Sequence, residues 1–159
     1  MRRTIRLLSA GGVLLAAAVT ASAGSKRVPL PPAYAEECGA CHVAYPARML
    51  DAASWNAVIG GLERHFGVDA SADAATLEPI RAYLLRGARS KPTAGAGGQP
   101  LLRITETRWF RHEHDELPSR LVKGPAAPRP ADCGACHRQA ASGSYSERSL
   151  RLPGKEGAR

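Results

Sequence analysis

Apolar residues recur at intervals of three and four residues in the first half of the chain, which is the spacing of one helix face. The longest such pattern runs from Asp51 to Phe66, and the same face includes His65. The apolar members of this face are Trp55, Val58, Ile59, Leu62 and Phe66. The pattern therefore predicts a helix over 51–66 that places His65 among buried side chains.

Capping residues predict a second helix. Thr76 is expected to cap it, which places Pro79 in the tolerant first turn, and Gly87 is expected to end it. The residues of this helix expected to face inward are Leu77, Ile80 and Leu84. No stretch has the extended alternation typical of strands. We therefore expect a mostly α-helical, loop-rich fold without a sheet.

The first 23 residues have the pattern of a secretory signal peptide. Arginines at positions 2, 3 and 6 precede an apolar run from Leu7 to Val19, and Ala21-Ser22-Ala23 supplies a cleavage site. The run is short for a membrane span, although an uncleaved amphipathic anchor is an alternative interpretation. We expect export to the periplasm, a mature domain of residues 24–159, and at most transient membrane association.

Composition adds two constraints. Hydrophobic residues make up 44% of the sequence but aromatic residues only 5%, and alanine supplies much of the apolar share. A small chain of this kind usually needs a disulfide, a metal or a large apolar cofactor to hold its fold. The formal net charge is +8, and the chain stays basic without the signal peptide. Because the basic residues are scattered, they favour an acidic protein partner over nucleic acid.

A glycine-rich stretch near 88–100 divides the mature chain. Residues 91–100 read Lys-Pro-Thr-Ala-Gly-Ala-Gly-Gly-Gln-Pro, which is typical of a flexible linker. Two lobes joined by this linker are one interpretation. We favour one compact unit, because the part after the linker has too little apolar material to fold alone.

All four cysteines fall in two copies of one motif, Cys38-Gly39-Ala40-Cys41-His42 and Cys133-Gly134-Ala135-Cys136-His137. The C-x-x-C-H pattern is typical of covalent haem attachment. Two thiols at this spacing share one side of a helical turn, where they can add to the two vinyl groups of one porphyrin edge. The next histidine then lies under the iron as its proximal ligand. The sequence thus predicts two c-type haems, with His42 and His137 as proximal ligands.

Zinc and disulfide chemistry are the alternatives to haem. Paired C-x-x-C knuckles can bind zinc, but these two pairs lie much farther apart than zinc ligands usually do. Cysteines of exported proteins can also form disulfides. Neither alternative explains why a histidine follows both pairs, or why the internal Gly-Ala repeats.

The second axial ligand of each iron decides between electron transfer and small-molecule chemistry. Met1 leaves with the signal peptide, and Met49 follows His42 too closely to reach the opposite face of the haem, so Met49 is expected to be packing. His65, on the predicted apolar face, is the candidate ligand of the first haem. A buried histidine without a metal is the alternative.

A third, short helix supplies the other candidate ligand. Thr107 is expected to cap this helix and Pro118 to end it. Phe110 and His114 then share one face, whereas His112 points elsewhere. His114 is therefore the preferred ligand of the second haem, with His112 as the alternative.

Four histidines then serve two irons. Local pairing joins His42 with His65 and His137 with His114, and a crossed arrangement is the alternative. Both haems are expected to be bis-histidine and low-spin. Their potentials should lie below those of His/Met cytochromes, because a methionine ligand raises the potential.

Several longer stretches link the chain to a known family. They are both haem motifs, Glu37 and Tyr45-Pro46 around the first motif, Gly60-Gly61-Leu62-Glu63-Arg64-His65-Phe66-Gly67, Ile104-Thr105-Glu106-Thr107 with Trp109-Phe110 and His114, and Ser146-Glu147-Arg148. In these stretches the chain resembles the dihaem cytochrome c family. The resemblance implies a cytochrome c-like helical fold organised around two covalently bound haems. It also implies redox partners, namely a membrane b-type cytochrome and a small soluble oxygen-binding cytochrome.

We therefore expect a periplasmic electron carrier, not an enzyme, that passes electrons between a membrane donor and a soluble redox partner. Such a role needs no substrate pocket and no general acid or base. One alternative is a gas-binding or peroxide-active haem protein with one five-coordinate iron. Another is the small dihaem subunit of a periplasmic reductase.

Overall fold

The computed structural model describes residues 30–122, 125 and 127–153 of the 159-residue chain. The predicted signal peptide, residues 1–23, lies outside the described residues. Within the described ranges, no helix is both long enough and apolar enough to cross a membrane.

The described part of the chain is built from short helices and turns. Its α-helices are α1 (Pro32–Glu37), α2 (Ala52–Gly60), α3 (Ala74–Gly87), α4 (Arg108–Glu113) and α5 (Ser119–Val122). Single 3-10 turns lie between and after them, at Ala47–Met49, Leu62–Arg64, Ala96–Gly98, Ile104–Glu106, Cys133–Ala135, Ala140–Ser142 and Glu147–Ser149. The described residues form no strand, only isolated bridges. The predicted mostly helical, loop-rich fold class is confirmed.

The main apolar cluster belongs to the first half of the chain, where α3 packs against α1, α2 and the 3-10 turn Ala47–Met49. The indole Nε1 of Trp55 donates a hydrogen bond to the carbonyl of Ala47 at 2.6 Å, which ties α2 to that turn. The buried members of the cluster are Tyr34, Ala44, Ala47, Leu50, Trp55, Ile59, Ile80, Tyr83 and Leu84. All of them precede the glycine-rich stretch, so the second half has to be held by other means.

The predicted helix over 51–66 is wrong beyond Gly60. Trp55 and Ile59 are buried as expected, but α2 ends at the Gly60-Gly61 pair. Glycine weakens a helix interior because it loses more backbone freedom on folding than other residues. After the pair the chain turns, and Phe66 leaves the predicted apolar face with 48% of its surface exposed.

The second predicted helix begins earlier than expected. Asp73, not Thr76, is its cap, since the Asp73 carboxylate accepts a hydrogen bond from the Thr76 backbone N–H at 3.0 Å. Pro79 therefore lies in the interior of α3 rather than in its first turn. The end at Gly87 is confirmed. Glycine is needed there because a Cβ would lie only 2.7 Å from the Cβ of Ala47.

The glycine-rich stretch is fastened to the first half by Asp51. One carboxylate oxygen of Asp51 caps α2 by accepting from the Ser54 N–H at 2.8 Å, and the other accepts from the Thr93 N–H at 2.6 Å. The Thr93 side chain is buried and lies 3.1 Å from the Ser54 hydroxyl. The Arg89 N–H also bonds to the Leu50 carbonyl at 2.8 Å. The predicted linker near 88–100 is thus fixed at Arg89 and Thr93.

Replacing Asp51 by alanine should destabilise the protein by about 2–3 kcal/mol, because it removes a helix cap and leaves the Thr93 N–H without its acceptor. Asp73→Ala is the matched control, since it removes the cap of α3 and an exposed bond from the Thr76 hydroxyl, and it should cost about 1 kcal/mol. Denaturant unfolding of both variants measures the difference. Equal losses would show that the bond to Thr93 adds nothing.

The contribution of Asp51 should also depend on pH. Burial acts to raise the pKa of Asp51, but hydrogen bonds from Thr93 and Ser54 outweigh it and hold the pKa below its ordinary value. A lowered folded-state pKa gives stabilisation that is complete above the unfolded pKa of about 3.9 and is lost as pH falls through the folded pKa. The stability difference between the natural protein and Asp51→Ala should therefore be constant from neutral pH to about pH 5 and shrink below about pH 4. A difference that already declines above pH 6 would contradict this.

Candidate functional site

The two cysteine motifs adopt different local structures. Cys38 ends α1, with its N–H bonded to the Tyr34 carbonyl at 3.1 Å, and the residues up to His42 form turns. In the second motif Cys133–Ala135 is a 3-10 turn, and the His137 N–H bonds to the Cys133 carbonyl at 2.8 Å. The predicted helical turn between the thiols is therefore found only in the second motif. A Cβ at Gly39 would overlap the Ala35 carbonyl oxygen, so the first motif requires glycine at this position.

All four thiols are free, which argues against the disulfide alternative. Burial, reinforced by Glu37, raises the pKa of Cys38 to about 11, and burial with Asp132 does the same for Cys133. Both thiols are therefore protonated at neutral pH in the protein without a bound group. Across 30–122, 125 and 127–153, no three cysteine, histidine or acidic residues gather as a metal site. The zinc alternative has no support in this part of the chain.

The structure brings the imidazole rings of His42 and His65 close together. Their ring centroids lie 6.2 Å apart, and the ring planes differ by 29°. His42 is fixed by the bond of its Nδ1 to the Val43 carbonyl at 2.8 Å and by stacking on Tyr45 at 4.7 Å. With Nδ1 committed to this bond, the Nε2 nitrogen of His42 is available as a ligand.

A tight turn, rather than a helix, presents His65. The 3-10 turn Leu62–Arg64 ends at His65, whose N–H bonds to the Leu62 carbonyl at 3.2 Å. Phe66 then takes a positive φ of 51°, and Gly67 follows with a φ of 99°. A positive φ in a bulky residue is unusual and costs free energy. The turn closes with the Val68 N–H on the His65 carbonyl at 3.2 Å, so His65 is held at its base and Phe66 and Gly67 form its tip.

A second pair of facing imidazoles is formed by His114 and His137. Their centroids also lie 6.2 Å apart, with the ring planes at 70°. His114 follows α4, stacks on Phe110 at 4.0 Å, and bonds through Nδ1 to the Phe110 carbonyl at 2.8 Å. The predicted cap of α4 is confirmed, since the buried Thr107 hydroxyl accepts from the Phe110 N–H at 3.3 Å. The helix ends at Glu113 and does not, as expected, continue to Pro118.

One histidine of each pair, His65 in the first and His137 in the second, lies where the neutral imidazole is favoured. Burial, together with the facing His42, lowers the pKa of His65, and burial with the facing His114 lowers that of His137. Neutral imidazole carries the lone pair that binds a metal. A bond of about 2 Å from each nitrogen to the metal, with about 1.1 Å from nitrogen to ring centre, adds up to roughly 6 Å between ring centres. Both pairs therefore have the spacing of two imidazoles that bind one metal ion.

The competing candidates lie away from these pairs. The His112 side chain is 79% exposed and lies 3.5 Å from the Asp115 carboxylate. Met49 is buried, and its carbonyl accepts a hydrogen bond from the Trp109 indole at 3.4 Å. Neither residue takes part in the facing pairs, and the interpretation of Met49 as a packing residue agrees with its burial.

Three tyrosines link the two sites. The Tyr34 hydroxyl donates to the Tyr45 carbonyl at 2.6 Å, and the Tyr45 hydroxyl donates to the Ala131 carbonyl at 2.8 Å, two residues before Cys133. Tyr145 packs on His137 with a centroid distance of 5.2 Å. Sequence reasoning did not single out Tyr34, although its position four residues before Cys38 is a helical contact that could have drawn attention to it.

Known proteins match the chain over most of its described length. The family model for dihaem cytochrome c matches residues 34–145. A dihaem cytochrome c of Shewanella baltica OS155 is 38% identical, with a TM-score of 0.65 over 79% of this chain and 96% of that one. A dihaem cytochrome c of Rhodobacter sphaeroides is also 38% identical, with a TM-score of 0.60 over 78% of this chain and 99% of its own. No curated protein matches the sequence.

The Thr107 hydroxyl should be important for the second pair. It accepts from the Phe110 N–H and donates to the Ile104 carbonyl at 2.7 Å. Thr107→Val leaves the Phe110 N–H without its acceptor, while the Ile104 carbonyl keeps its bond from the Thr107 N–H at 3.1 Å. The expected cost is about 1–3 kcal/mol, measured by thermal unfolding. Thr107→Ser keeps the hydroxyl and loses one methyl group, at about 0.8 kcal/mol. If serine is as damaging as valine, the hydroxyl is not the cause.

Proposed function

The chain belongs to the dihaem cytochrome c family, and from that premise we propose that it transfers electrons through two haems that are each bound by two histidines. Cys38 and Cys41 hold the first haem by thioether bonds, and Cys133 and Cys136 hold the second. His42 and His137 are the proximal iron ligands. His65 and His114 are the distal ligands.

One observation carries this proposal: two separate pairs of imidazoles lie at the same centroid distance of 6.2 Å. In each pair, one histidine belongs to a haem motif and the other comes from elsewhere in the chain. The spacing fits one iron between two nitrogens. The proximity of His42 to His65 and of His137 to His114 supports the local pairing over the crossed one.

The surroundings of His65 support a haem at the first site. Among the described residues, the large apolar side chains with the highest exposure are Phe66, Val68 and Leu102, at 48%, 59% and 45%. Phe66 and Leu102 line a cleft together with His65 and Arg64. A porphyrin face would cover such a surface, and exposed apolar patches usually mark binding sites. Arg64, at the same cleft, has the charge that suits a haem propionate.

Two histidine ligands on each iron favour electron transfer over catalysis. A haem with both axial positions filled by protein shuttles electrons, whereas gas binding or peroxide chemistry needs an open position. The chain's own contribution is to hold four imidazoles in place and to keep water from the irons. Haem supplies the one-electron chemistry. Two nitrogen ligands also favour potentials below those of His/Met cytochromes.

Location and partners follow from the same role. The pattern of residues 1–23 supports export, and haem attachment of this type takes place after export, so we propose a periplasmic protein. The basic net charge supports docking to acidic redox partners. We propose a membrane b-type cytochrome as donor and a small oxygen-binding cytochrome as acceptor.

Carbon monoxide tests the distal ligands, because it binds only to reduced haem with an open position. The natural protein should bind none. His65→Ala and His114→Ala should each bind one equivalent, and the double variant two, since the thioether bonds keep both haems in place. The measurement is the absorption spectrum of the reduced protein during titration with carbon monoxide, with mass spectrometry to confirm two haems per chain.

His112→Ala is the matched control for the second site and should bind no carbon monoxide. Uptake of carbon monoxide by His112→Ala, with none by His114→Ala, would show that His112 and not His114 is the distal ligand of the second haem. Uptake of one equivalent by the natural protein would overturn the proposal in favour of a gas-binding or peroxide-active protein.

A further inference from the structure

Two buried polar atoms without a hydrogen-bond partner lie in neighbouring rings of the second site. Within the described ranges, the buried side-chain nitrogens and oxygens that lack a partner are Arg89 Nε, His137 Nδ1 and the Tyr145 hydroxyl. Buried polar groups nearly always have partners, so each exception needs an explanation. The rings of His137 and Tyr145 pack on each other with centroids 5.2 Å apart.

His137 differs in this respect from two of the other proposed ligands. His42 Nδ1 bonds to the Val43 carbonyl and His114 Nδ1 to the Phe110 carbonyl, each at 2.8 Å. Those bonds fix the tautomer in which Nδ1 carries the proton and Nε2 is free for the metal. The buried Nδ1 of His137 has no backbone carbonyl in this role.

The chemistry of the ligand defines what kind of partner is missing. An imidazole that binds iron through Nε2 carries its proton on Nδ1, so His137 Nδ1 has to donate a hydrogen bond. A phenol oxygen has lone pairs that can accept one. Tyr145 is the neighbouring residue that offers such an oxygen, and this oxygen is itself buried and without a partner.

We propose that the Tyr145 hydroxyl accepts the hydrogen bond of His137 Nδ1 and so positions the proximal ligand of the second haem. A direct contact and a single bridging water both provide this connection. The proposal rests on the role of His137 as an iron ligand. Tyr145 is thus a positioning residue that acts on the iron through His137.

The hydrogen bond has an electronic consequence. An acceptor on Nδ1–H makes the imidazole more basic and a stronger electron donor to the metal. A stronger donor favours ferric iron and lowers the reduction potential of that haem. At the first site a backbone carbonyl does this, and no side-chain substitution can remove it. At the second site the proposed acceptor is a side chain, so a substitution of Tyr145 can remove the hydrogen bond.

Tyr145→Phe in the dihaem protein is the test, because it removes the oxygen and keeps the ring against His137. We expect one of the two midpoint potentials to rise while the other is unchanged. A tenfold change in the ratio of ferric to ferrous haem corresponds to a shift of about 59 mV. Tyr83→Phe is the control, since Tyr83 is a buried tyrosine whose ring packs on Tyr34. It should move neither potential.

A second measurement needs no variant. In the reduced natural protein, the Nδ1 proton of His137 should give a nuclear magnetic resonance signal with a contact to the Tyr145 hydroxyl or to a bound water. Contacts of this proton only to backbone protons, with none to the Tyr145 hydroxyl or to water, would overturn the proposal. So would a Tyr145→Phe protein with both potentials unchanged, or with both shifted equally.

These results are distinct from a failure of the proposed function. An open iron would show itself as carbon monoxide uptake by the natural protein. Loss of the Tyr145 hydrogen bond leaves both irons with two protein ligands, so Tyr145→Phe should bind no carbon monoxide. A shifted potential without carbon monoxide uptake therefore supports the role of Tyr145 itself.

Discussion

Each pair of imidazoles is held with its ring centroids 6.2 Å apart, and the chain does this without a long helix at either site. His42 is fixed by the bond of its Nδ1 to the Val43 carbonyl, and His65 by the tight turn that follows it. His114 is held by its stack on Phe110 and by the Phe110 carbonyl. Short-range hydrogen bonds set these positions, which explains how a protein with few aromatic residues can bring four imidazoles into two close pairs.

The sequence predicted the site better than the path of the backbone. The cysteine motifs, the Thr107 cap and the contact between Phe110 and His114 could be inferred, because each depends on residues within a few positions of one another. His65 came from a predicted helix that does not continue past Gly60, yet it was a sound candidate, because a 3-10 turn preserves the contact of residues three apart. The left-handed conformation of Phe66 has no signal of this kind.

Contacts between distant residues could not be predicted in this way. The bond from Tyr45 to Ala131 joins the two haem motifs across most of the chain, and the Trp109 indole reaches the Met49 carbonyl. Arg89 lies over the Trp109 ring at 5.1 Å. A single sequence carries no pattern for such pairs. They matter because the buried members of the main apolar cluster all lie in residues 34–84, and these contacts attach the second half of the chain to it.

The fastening of Thr93 by Asp51 also bears on how this protein could be modified. The entropic cost of closing a surface loop rises only slowly with loop length, so residues can be inserted into a loop whose two ends form a fixed base. The glycine turn that follows Thr93 has such a base, and Gly97 and Gly98 have open space around them. A peptide tag or a thiol for electrode attachment could be grafted at this turn, on a segment that carries neither haem motif.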